Sequence, residues 1–482
     1  MTHAVAPDHA VGIVRREGYR YDDPDAAPVR MRALLAELGD VMGWATPDRG
    51  PLGALIAPGA KVLVKPNWVL HRNLGDYGTD ELITNASLVK SVAEAALQAG
   101  AGRVAIGDSP VQGCDFETML ELGQLRAWER EMLAREKRFA GLFDFRRTTL
   151  QDGRAGGELA RERFALEQYV LFDLGEASLL EPITRPGAFR VTMYPPDLMA
   201  RTHAPGKHQF LVAKEVIDAD VVLNLPKLKT HKKAGITLAL KNLIGINGNK
   251  EFLPHHRVGG SEMGGDCYPG GSRLKRVLEW SLDQQNSASS QRMSFAWSQA
   301  ARVLDGIARR RGDRMEVEGS WSGNDTIWRT CLDLNRVLLY GRADASMAQT
   351  RQRRVVNIVD ALIAGHGNGP LSPEPIPMGL LLGSTSSAAM DWVGAMLLGY
   401  APERIPITRG AFEDFPFALT SFRSDDVTVL GDIGNGAAHQ VLTNSANWTV
   451  PQLRYPIGWL DAVVLKSATA ATSEFSTHEP SA

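Results

Sequence analysis

A run of lysines follows an apolar segment in the middle of the chain. Residues 221–250, VVLNLPKLKTHKKAGITLALKNLIGINGNK, contain six lysines and no acidic residue. Lys241 and Asn242 stand within an otherwise apolar stretch, ITLALKNLIGING, where a charged side chain needs a partner. Ammonium groups in such a setting favour a carboxylate or phosphate ligand. The alternative interpretation is a solvated basic surface, which better suits the Lys-Lys pair at 232–233.

Four apolar segments of the chain end in polar or ionisable sequence. These ends are Lys65-Pro66-Asn67, Gly107-Asp108-Ser109-Pro110, the segment from Asn224 to His231, and Asp360 followed by GHGNGP at 365–370. A proline after a strand is commonly a loop residue, so each end alone is weak evidence. However, Lys, Asn, Asp and His recur among the four ends, and loops at the carboxyl ends of parallel strands converge. We therefore expect these residues to form one site.

The predicted site contains two classes of side chain. Ammonium and amide groups would bind the anion, while carboxylates and imidazoles would serve in acid–base chemistry or hold a metal ion. An aspartate after a strand can instead cap a helix, and this alternative stays open for Asp108. The predicted anion-binding residues are Lys65, Asn67, Lys227, Lys229, Lys241, Asn242 and Asn368. The predicted acid–base residues are Asp108, His231, Asp360 and His366.

A glycine-rich segment, FLPHHRVGGSEMGGDCYPGG at residues 252–271, adds imidazole and guanidinium groups. We expect it to act as a mobile lid that brings His255, His256 and Arg257 to the anion. The histidines also suggest a divalent metal ion, although their spacing matches neither a zinc finger nor an HExxH motif. The candidate metal ligands are His231, His366 and Asp266. The identity of any cofactor stays open from the sequence.

Several other chemistries lack their sequence motifs. The chain has no GxGxxG after its first strand, no GxxxxGK[ST] and no GxSxG, which argues against classical dinucleotide, P-loop and α/β-hydrolase sites. Cys114, Cys267 and Cys331 are far apart and share neither CxxC nor ferredoxin spacing. We therefore expect no iron–sulfur cluster and no disulfide framework.

Composition limits the partners of the chain. Its 482 residues are 44% hydrophobic and 22% charged, with a formal net charge of -2. Because nothing in the whole-chain charge attracts polyanions, we expect neither a nucleic-acid partner nor a membrane partner. The N-terminus lacks an apolar signal-peptide core, and no segment approaches the roughly 18 apolar residues of a spanning helix. We predict a cytoplasmic protein, and the sequence leaves its oligomeric state open.

Strands that alternate with helices must position these residues. A strand at AKVLVKPNW, helical spacing in NASLVKSVAEAALQAGAG and a strand at RVAIGDSP form a βαβ unit. The pattern predicts an α/β fold with a mostly parallel sheet, helices on both faces and two large, mainly helical or irregular insertions. The predicted parts are an N-terminal extension (1–55), one core (56–465) with insertions at about 115–200 and 270–350, and a disordered tail (466–482).

The ordered motifs resemble the family called domain of unknown function 362 (DUF362). The similar stretches are VLVKPNW, AGAGRVAIGDSP, NLPKLKTHKKAGITLALKNLIGING, VVNIVDALIAGHGNGPLSP and STSSAAMDWVGAMLLG. The resemblance implies an α/β core, and it implies redox work for members with ferredoxin-type cysteine clusters, which this chain lacks. His366 stands where the family pattern usually has an acidic residue.

The predicted anion-binding and acid–base residues indicate the function. We expect an enzyme that acts on a small carboxylated or phosphorylated metabolite at the carboxyl ends of the strands. Preorganised positive charge there would suit proton-transfer, isomerase or lyase chemistry, with or without a metal ion. Two alternatives remain open: a noncatalytic anion-binding or scaffold protein, and a redox subunit that works with a separate iron–sulfur partner.

Overall fold

The structure is a computed structural model that describes residues 4–21, 26–150, 159–160, 164–431 and 453–463. Its strands are β1 (Ala10–Arg15), β2 (Lys61–Pro66), β3 (Arg103–Asp108), β4 (Phe139–Asp144), β5 (Thr149–Leu150), β6 (Leu159–Ala160), β7 (Tyr169–Asp173), β8 (Phe189–Arg190), β9 (His203–Ala204), β10 (Lys207–Ala213), β11 (Val221–Leu225), β12 (Lys227–His231), β13 (Gly235–Thr237), β14 (His256–Arg257), β15 (Arg354–Asn368), β16 (Ser372–Ser384) and β17 (Thr428–Gly431). Its α-helices are α1 (Ala26–Val41), α2 (Ala86–Gln98), α3 (Phe116–Leu122), α4 (Leu125–Arg135), α5 (Pro196–Thr202), α6 (Lys214–Ile217), α7 (Ala239–Asn242), α8 (Arg273–Ser287), α9 (Gln291–Arg310), α10 (Ile327–Tyr340), α11 (Ser387–Leu397) and α12 (Pro406–Gly410). The predicted tail lies outside the described residues.

A large sheet forms the centre of the described structure. Its main order is β17-β1-β16-β15-β11-β2-β3-β4, and β12 and β13 extend it beside β15. β15, β11, β2, β3 and β4 pair in parallel, whereas β16 runs antiparallel to both of its neighbours. The mostly parallel α/β fold predicted from the sequence is therefore confirmed.

Helices cover both faces of the sheet. Along β2, Val62 and Val64 pack in the apolar cluster that contains α1 and α2, while Leu63 packs in the cluster that contains α10. This alternation follows from the two-residue period of a strand, which sends successive side chains to opposite faces. Burial on both faces explains why the strand sequences are almost continuously apolar.

The sheet also includes parts of the chain outside the strands that the sequence predicted. β1 lies within the predicted N-terminal extension and pairs with β16 and β17. β4 lies within the first predicted insertion and pairs in parallel with β3. The second predicted insertion consists largely of helices, of which α8 and α9 pack together and α10 lies against the core. The helical character of that segment agrees with its sequence pattern.

A buried ion pair lies inside the sheet. Lys227 on β12 is the register partner of Asp360 on β15, and Lys227 Nζ lies 2.6 Å from Asp360 Oδ2. The Tyr21 hydroxyl donates to Asp360 Oδ1 at 2.5 Å, and the N–H of Asn85, which caps α2, donates to Oδ2 at 3.0 Å. Asp360 was predicted at a strand end, but it lies within a strand, because β15 continues beyond it as a long hairpin with β16.

Breaking the Lys227–Asp360 pair should destabilise the protein strongly. We expect Asp360→Leu to lower the free energy of unfolding by about 3–5 kcal/mol, since it leaves a fully buried ammonium group without a carboxylate. The double variant Lys227→Met/Asp360→Leu should recover at least half of this loss. Urea denaturation of the three proteins measures the effect, and a single variant as stable as the wild type would contradict it.

Candidate functional site

An ion pair joins the carboxyl ends of two neighbouring strands. Lys65 Nζ, near the end of β2, lies 2.7 Å from Oδ1 of Asp108, the last residue of β3. Asp108 also accepts the N–H of Trp68 at 2.7 Å and that of Ser109 at 2.8 Å. Burial raises the pKa of Asp108 and lowers the pKa of Lys65, and their mutual attraction opposes both shifts. Asp108 caps no described helix; Asp115 caps α3 instead.

A row of asparagine side chains supports this ion pair. The amide oxygen of Asn242 accepts from Lys65 Nζ at 3.1 Å and from Asn67 Nδ2 at 2.8 Å. Asn242 Nδ2 donates to Asn224 Oδ1 at 2.8 Å, and Asn224 Nδ2 donates to Asn357 Oδ1 at 2.8 Å. These amides are thus committed to one another across the sheet. They position Lys65, and the side-chain amide of Asn242 already donates to Asn224, so it is not free to donate to an anion.

A glycine allows the backbone to lie against the ion pair. Ser109 N–H donates to the carbonyl oxygen of Gly245 at 2.9 Å. A Cβ atom at Gly245 would overlap Asp108 Oδ1 and crowd Lys65 Nζ. The segment after α7 can therefore pack here only without a side chain. The sequence analysis did not single out this glycine, because only the fold brings it beside β2 and β3.

Three further lysines have no acidic partner within the described part of the chain. Lys229 Nζ donates to neutral oxygen atoms: Asn67 Oδ1 at 3.2 Å, the carbonyl of Pro370 at 3.4 Å and the carbonyl of Leu82. Among the described residues, the ammonium groups of Lys241 and Lys250 have neither a hydrogen bond nor an ion pair. Lys250 stands in polar sequence and was therefore not predicted as a site residue.

The pKa values of these lysines reflect their burial. Burial lowers the pKa of Lys229 well below its ordinary value, and the charges of Lys227 and Lys241 lower it further. Burial likewise lowers the pKa of Lys241. For Lys250, burial and then the charge of Lys241 lower the pKa to about 7, with Asp108 opposing the shift. Mutual electrostatic effects thus connect these lysines to one another and to the Lys65–Asp108 pair.

Two neutral imidazoles belong to the same cluster. His231 Nδ1 accepts the N–H groups of Lys233 and Ala234 at 3.0 and 3.2 Å, and His255 Nδ1 donates to the carbonyl of Leu253 at 2.6 Å. Burial holds the pKa of both imidazoles well below the ordinary value, and nearby lysines lower it further. Both rings are therefore neutral at physiological pH and cannot add positive charge to the site.

The remaining predicted residues lie in other surroundings. His366 Nδ1 accepts the N–H of Arg454 at 2.9 Å, and Asn368, at the end of β15, is exposed. Asp266 accepts the hydroxyl of Thr326 at 2.6 Å and pairs with Arg257 at 3.3 Å. The hairpin of β15 and β16 carries His366 beyond Asp360, and Gly365, its neighbour in sequence, is the register partner of Lys229.

The predicted metal ligands are not brought together. His231 belongs to the lysine cluster, whereas His366 and Asp266 have the separate partners given above. Within the described part of the chain, three groups of the metal-binding type do meet at His256, Cys267 and Glu279. Lys232 and Lys233 form ion pairs with Glu316 and Glu318, but Lys233 is buried, so the solvated surface predicted for this pair does not describe it.

Comparisons with known proteins identify the chain only broadly. A thylakoid-associated protein of Synechocystis sp. is 24% identical over 459 residues, which cover 95% of this chain and 92% of that protein. A crystal structure of a Thermotoga maritima protein aligns with a TM-score of 0.30 and 11% identity over 76% of this chain. The aligned part is 56% of that solved chain, so this chain spans just over half its length. A likeness of that size supports no conclusion about function.

A family model matches the part of the chain that contains most of the lysine cluster. Residues 188–396 match the model described as "Domain of unknown function (DUF362)". This range includes β11, β12, α7, β15 and β16, whereas Lys65 and Asp108 precede it. The resemblance that the sequence motifs indicated is thereby confirmed for residues 188–396 of the chain.

Proposed function

We propose that this chain binds a small carboxylated or phosphorylated metabolite beside Lys241 and Lys250 and transfers a proton to or from it. The observation that carries the proposal is the absence of an acidic partner for Lys229, Lys241 and Lys250 among the described residues. Lys65 and Lys227, by contrast, each have a carboxylate within 2.7 Å. The cluster therefore has an excess of positive charge that an anionic ligand would balance.

Charge energetics favour such a ligand. An ammonium group that leaves water without a partner loses several kcal/mol of solvation, and it responds by lowering its pKa. The lowered pKa values of Lys229, Lys241 and Lys250 are that response. A carboxylate or phosphate would replace the lost solvation with charge-assisted hydrogen bonds. The free-energy cost of desolvating these lysines lowers the stability of the fold and does not have to be met again when the anion binds.

The cluster also contains the groups that proton transfer requires. A pKa of about 7 lets Lys250 exist in both protonation states at neutral pH, which suits a general acid or base. Lys241 and the neutral imidazole of His231 would stabilise negative charge that develops on the ligand. Asp108 would position Lys65, because its two oxygen atoms are occupied by Lys65, Trp68 and Ser109.

Replacing Lys241 should increase the stability of the protein and remove its response to anions. We expect Lys241→Met to raise the free energy of unfolding by about 1–3 kcal/mol, because it removes a buried ammonium group without a partner. The same change should abolish the stabilisation that sulfate or phosphate gives to the wild type in thermal unfolding. Lys214→Met, at an exposed lysine, is the matched control and should change neither property. A Lys241→Met variant that is less stable, or that still responds fully to both anions, would contradict the proposal.

Anion binding should be coupled to proton uptake by Lys250. Its pKa is about 7 without a ligand, and a bound anion should raise it toward the ordinary lysine value. Affinity for sulfate, whose charge is fixed, should be constant below about pH 7 and fall by up to about tenfold per pH unit above it. Calorimetric titrations in buffers of different ionisation enthalpy measure the protons taken up. Above about pH 8, where unliganded Lys250 is mostly deprotonated, the Lys250→Met variant should take up about one proton fewer. Equal uptake by both proteins would argue against this role.

A second candidate function rests on the helical pair α8 and α9. Their exposed large apolar side chains are Val277, Trp280, Met293, Phe295 and Val303. The two helices contain seven Arg and Lys residues and three acidic residues, which gives a local charge of +4 in a chain whose net charge is -2. Exposed aromatic groups with arginines are typical of helices that lie on anionic lipid. No helix in the described ranges is long and apolar enough to cross a bilayer.

Peripheral attachment to an anionic membrane is therefore our second proposal, and the thylakoid association of the Synechocystis relative supports it. The sequence expectation of no membrane partner used the charge of the whole chain, which does not describe this helical pair. Cosedimentation with phosphatidylglycerol vesicles should exceed that with phosphatidylcholine vesicles and weaken in high salt. We expect Phe295→Ser to reduce it about fivefold, whereas Leu460→Ser, at an exposed leucine elsewhere, should not. Equal binding by these two variants would contradict the assignment of the surface.

A further inference from the structure

Three side chains of metal-binding type meet at a place apart from the lysine cluster. They are His256 on β14, Cys267 later in the same glycine-rich segment (residues 252–271), and Glu279 on α8. Each offers one ligand atom, and these atoms lie within 4.8 Å of one another. All three residues are buried, with 6%, 0% and 4% of their surface exposed. Imidazole nitrogen, thiolate sulfur and carboxylate oxygen are the ligands that zinc uses in proteins.

An independent observation points to a ligand at this place. His256 Nδ1 is buried and has no hydrogen-bond partner among the residues that the structure describes. A buried polar atom without a partner costs about 1–3 kcal/mol, so native structures rarely keep one. In the tautomer that places the proton on Nε2, this nitrogen has a lone pair that a cation would accept.

The surrounding backbone already orients the carboxylate. Gly259 N–H donates to both oxygen atoms of Glu279, at 2.9 and 3.0 Å. Such hydrogen bonds are typical of residues that support metal ligands. Gly319 N–H donates to the carbonyl oxygen of Cys267 at 2.8 Å and fixes the backbone of the second ligand. The ligand set is thus held by two elements that are distant in sequence, the glycine-rich segment and α8.

We infer that His256, Cys267 and Glu279 bind a thiophilic divalent cation, with zinc as the best match to this ligand set. Water would complete the coordination. Without metal, the Cys267 thiol donates a hydrogen bond to the Glu279 carboxylate. On binding, the thiol loses its proton to solvent and the sulfur forms a bond to the cation, and any Glu279 carboxyl that is protonated releases its proton as well. No electrons are transferred.

This site differs from the one that the sequence predicted, and it does not depend on the proposed function. His256 was itself predicted to bind the anion, and Cys267 directly follows Asp266, which was predicted as a metal ligand in a different set. Bound metal would fasten the glycine-rich segment to α8. It would thereby hold the adjacent His255 near Lys241.

Cobalt substitution tests the inference directly. The chain is purified under reducing conditions without chelators, its metal content is measured by mass spectrometry, and the metal-free protein is titrated with Co²⁺. We expect about one equivalent of metal and a near-ultraviolet thiolate-to-cobalt band in the wild type. Cys267→Ser should lose the band, and Glu279→Gln should weaken Co²⁺ binding at least tenfold. Cys331→Ser, at another fully buried cysteine, should match the wild type.

The wild-type titration decides the question even if a variant fails to fold. A folded wild-type chain that shows no thiolate-to-cobalt band would overturn the inference. A band that persists in folded Cys267→Ser would overturn it too, because another sulfur would then be the ligand. Circular dichroism of each metal-free protein establishes which variants are folded.

Discussion

The ion pair between Lys65 Nζ and Asp108 Oδ1, 2.7 Å long, fixes the geometry of the candidate site. It joins β2 to β3, its carboxylate holds the N–H groups of both following loops, and the backbone of Gly245 can lie against it only because that residue lacks a side chain. Because both charges are buried, neither can be removed without leaving the other unpaired. The pair also occupies Asp108 fully, so this carboxylate is not available to the lysines around it.

Three lysines that have no acidic partner in the described ranges oppose the stability of the fold. Each ammonium group of Lys229, Lys241 and Lys250 is costly where it stands, and apolar side chains of similar length would fill the same space. Residues that lower stability are common at functional sites, where binding or chemistry requires them. Burial of these lysines away from carboxylates lowers their pKa values and leaves a local excess of positive charge. Burial and the nearby lysines also keep the imidazole of His231 neutral. An anionic ligand would balance all of them together.

The sequence predicted the architecture better than the contacts. Apolar strands interrupted by a capped helix indicated a parallel sheet, and the strand ends did bring Lys65 and Asp108 together, because parallel strands place their carboxyl ends at one edge. Asp360 was misplaced because no local signal shows that β15 continues into a hairpin. Lys250 was missed because its pKa depends on burial by residues far away in the chain, and a metal-type cluster that includes Glu279 could not be found from local spacing.

Locating a bound anion is the most direct test of anion binding beside Lys241 and Lys250. Crystals of the chain soaked in selenate, a sulfate analogue with a strong anomalous signal at the selenium edge, would show where the excess positive charge is balanced. The account predicts an anomalous peak within hydrogen-bonding distance of Lys241 Nζ and Lys250 Nζ. Well-ordered lysine side chains without a selenate peak beside them would contradict it.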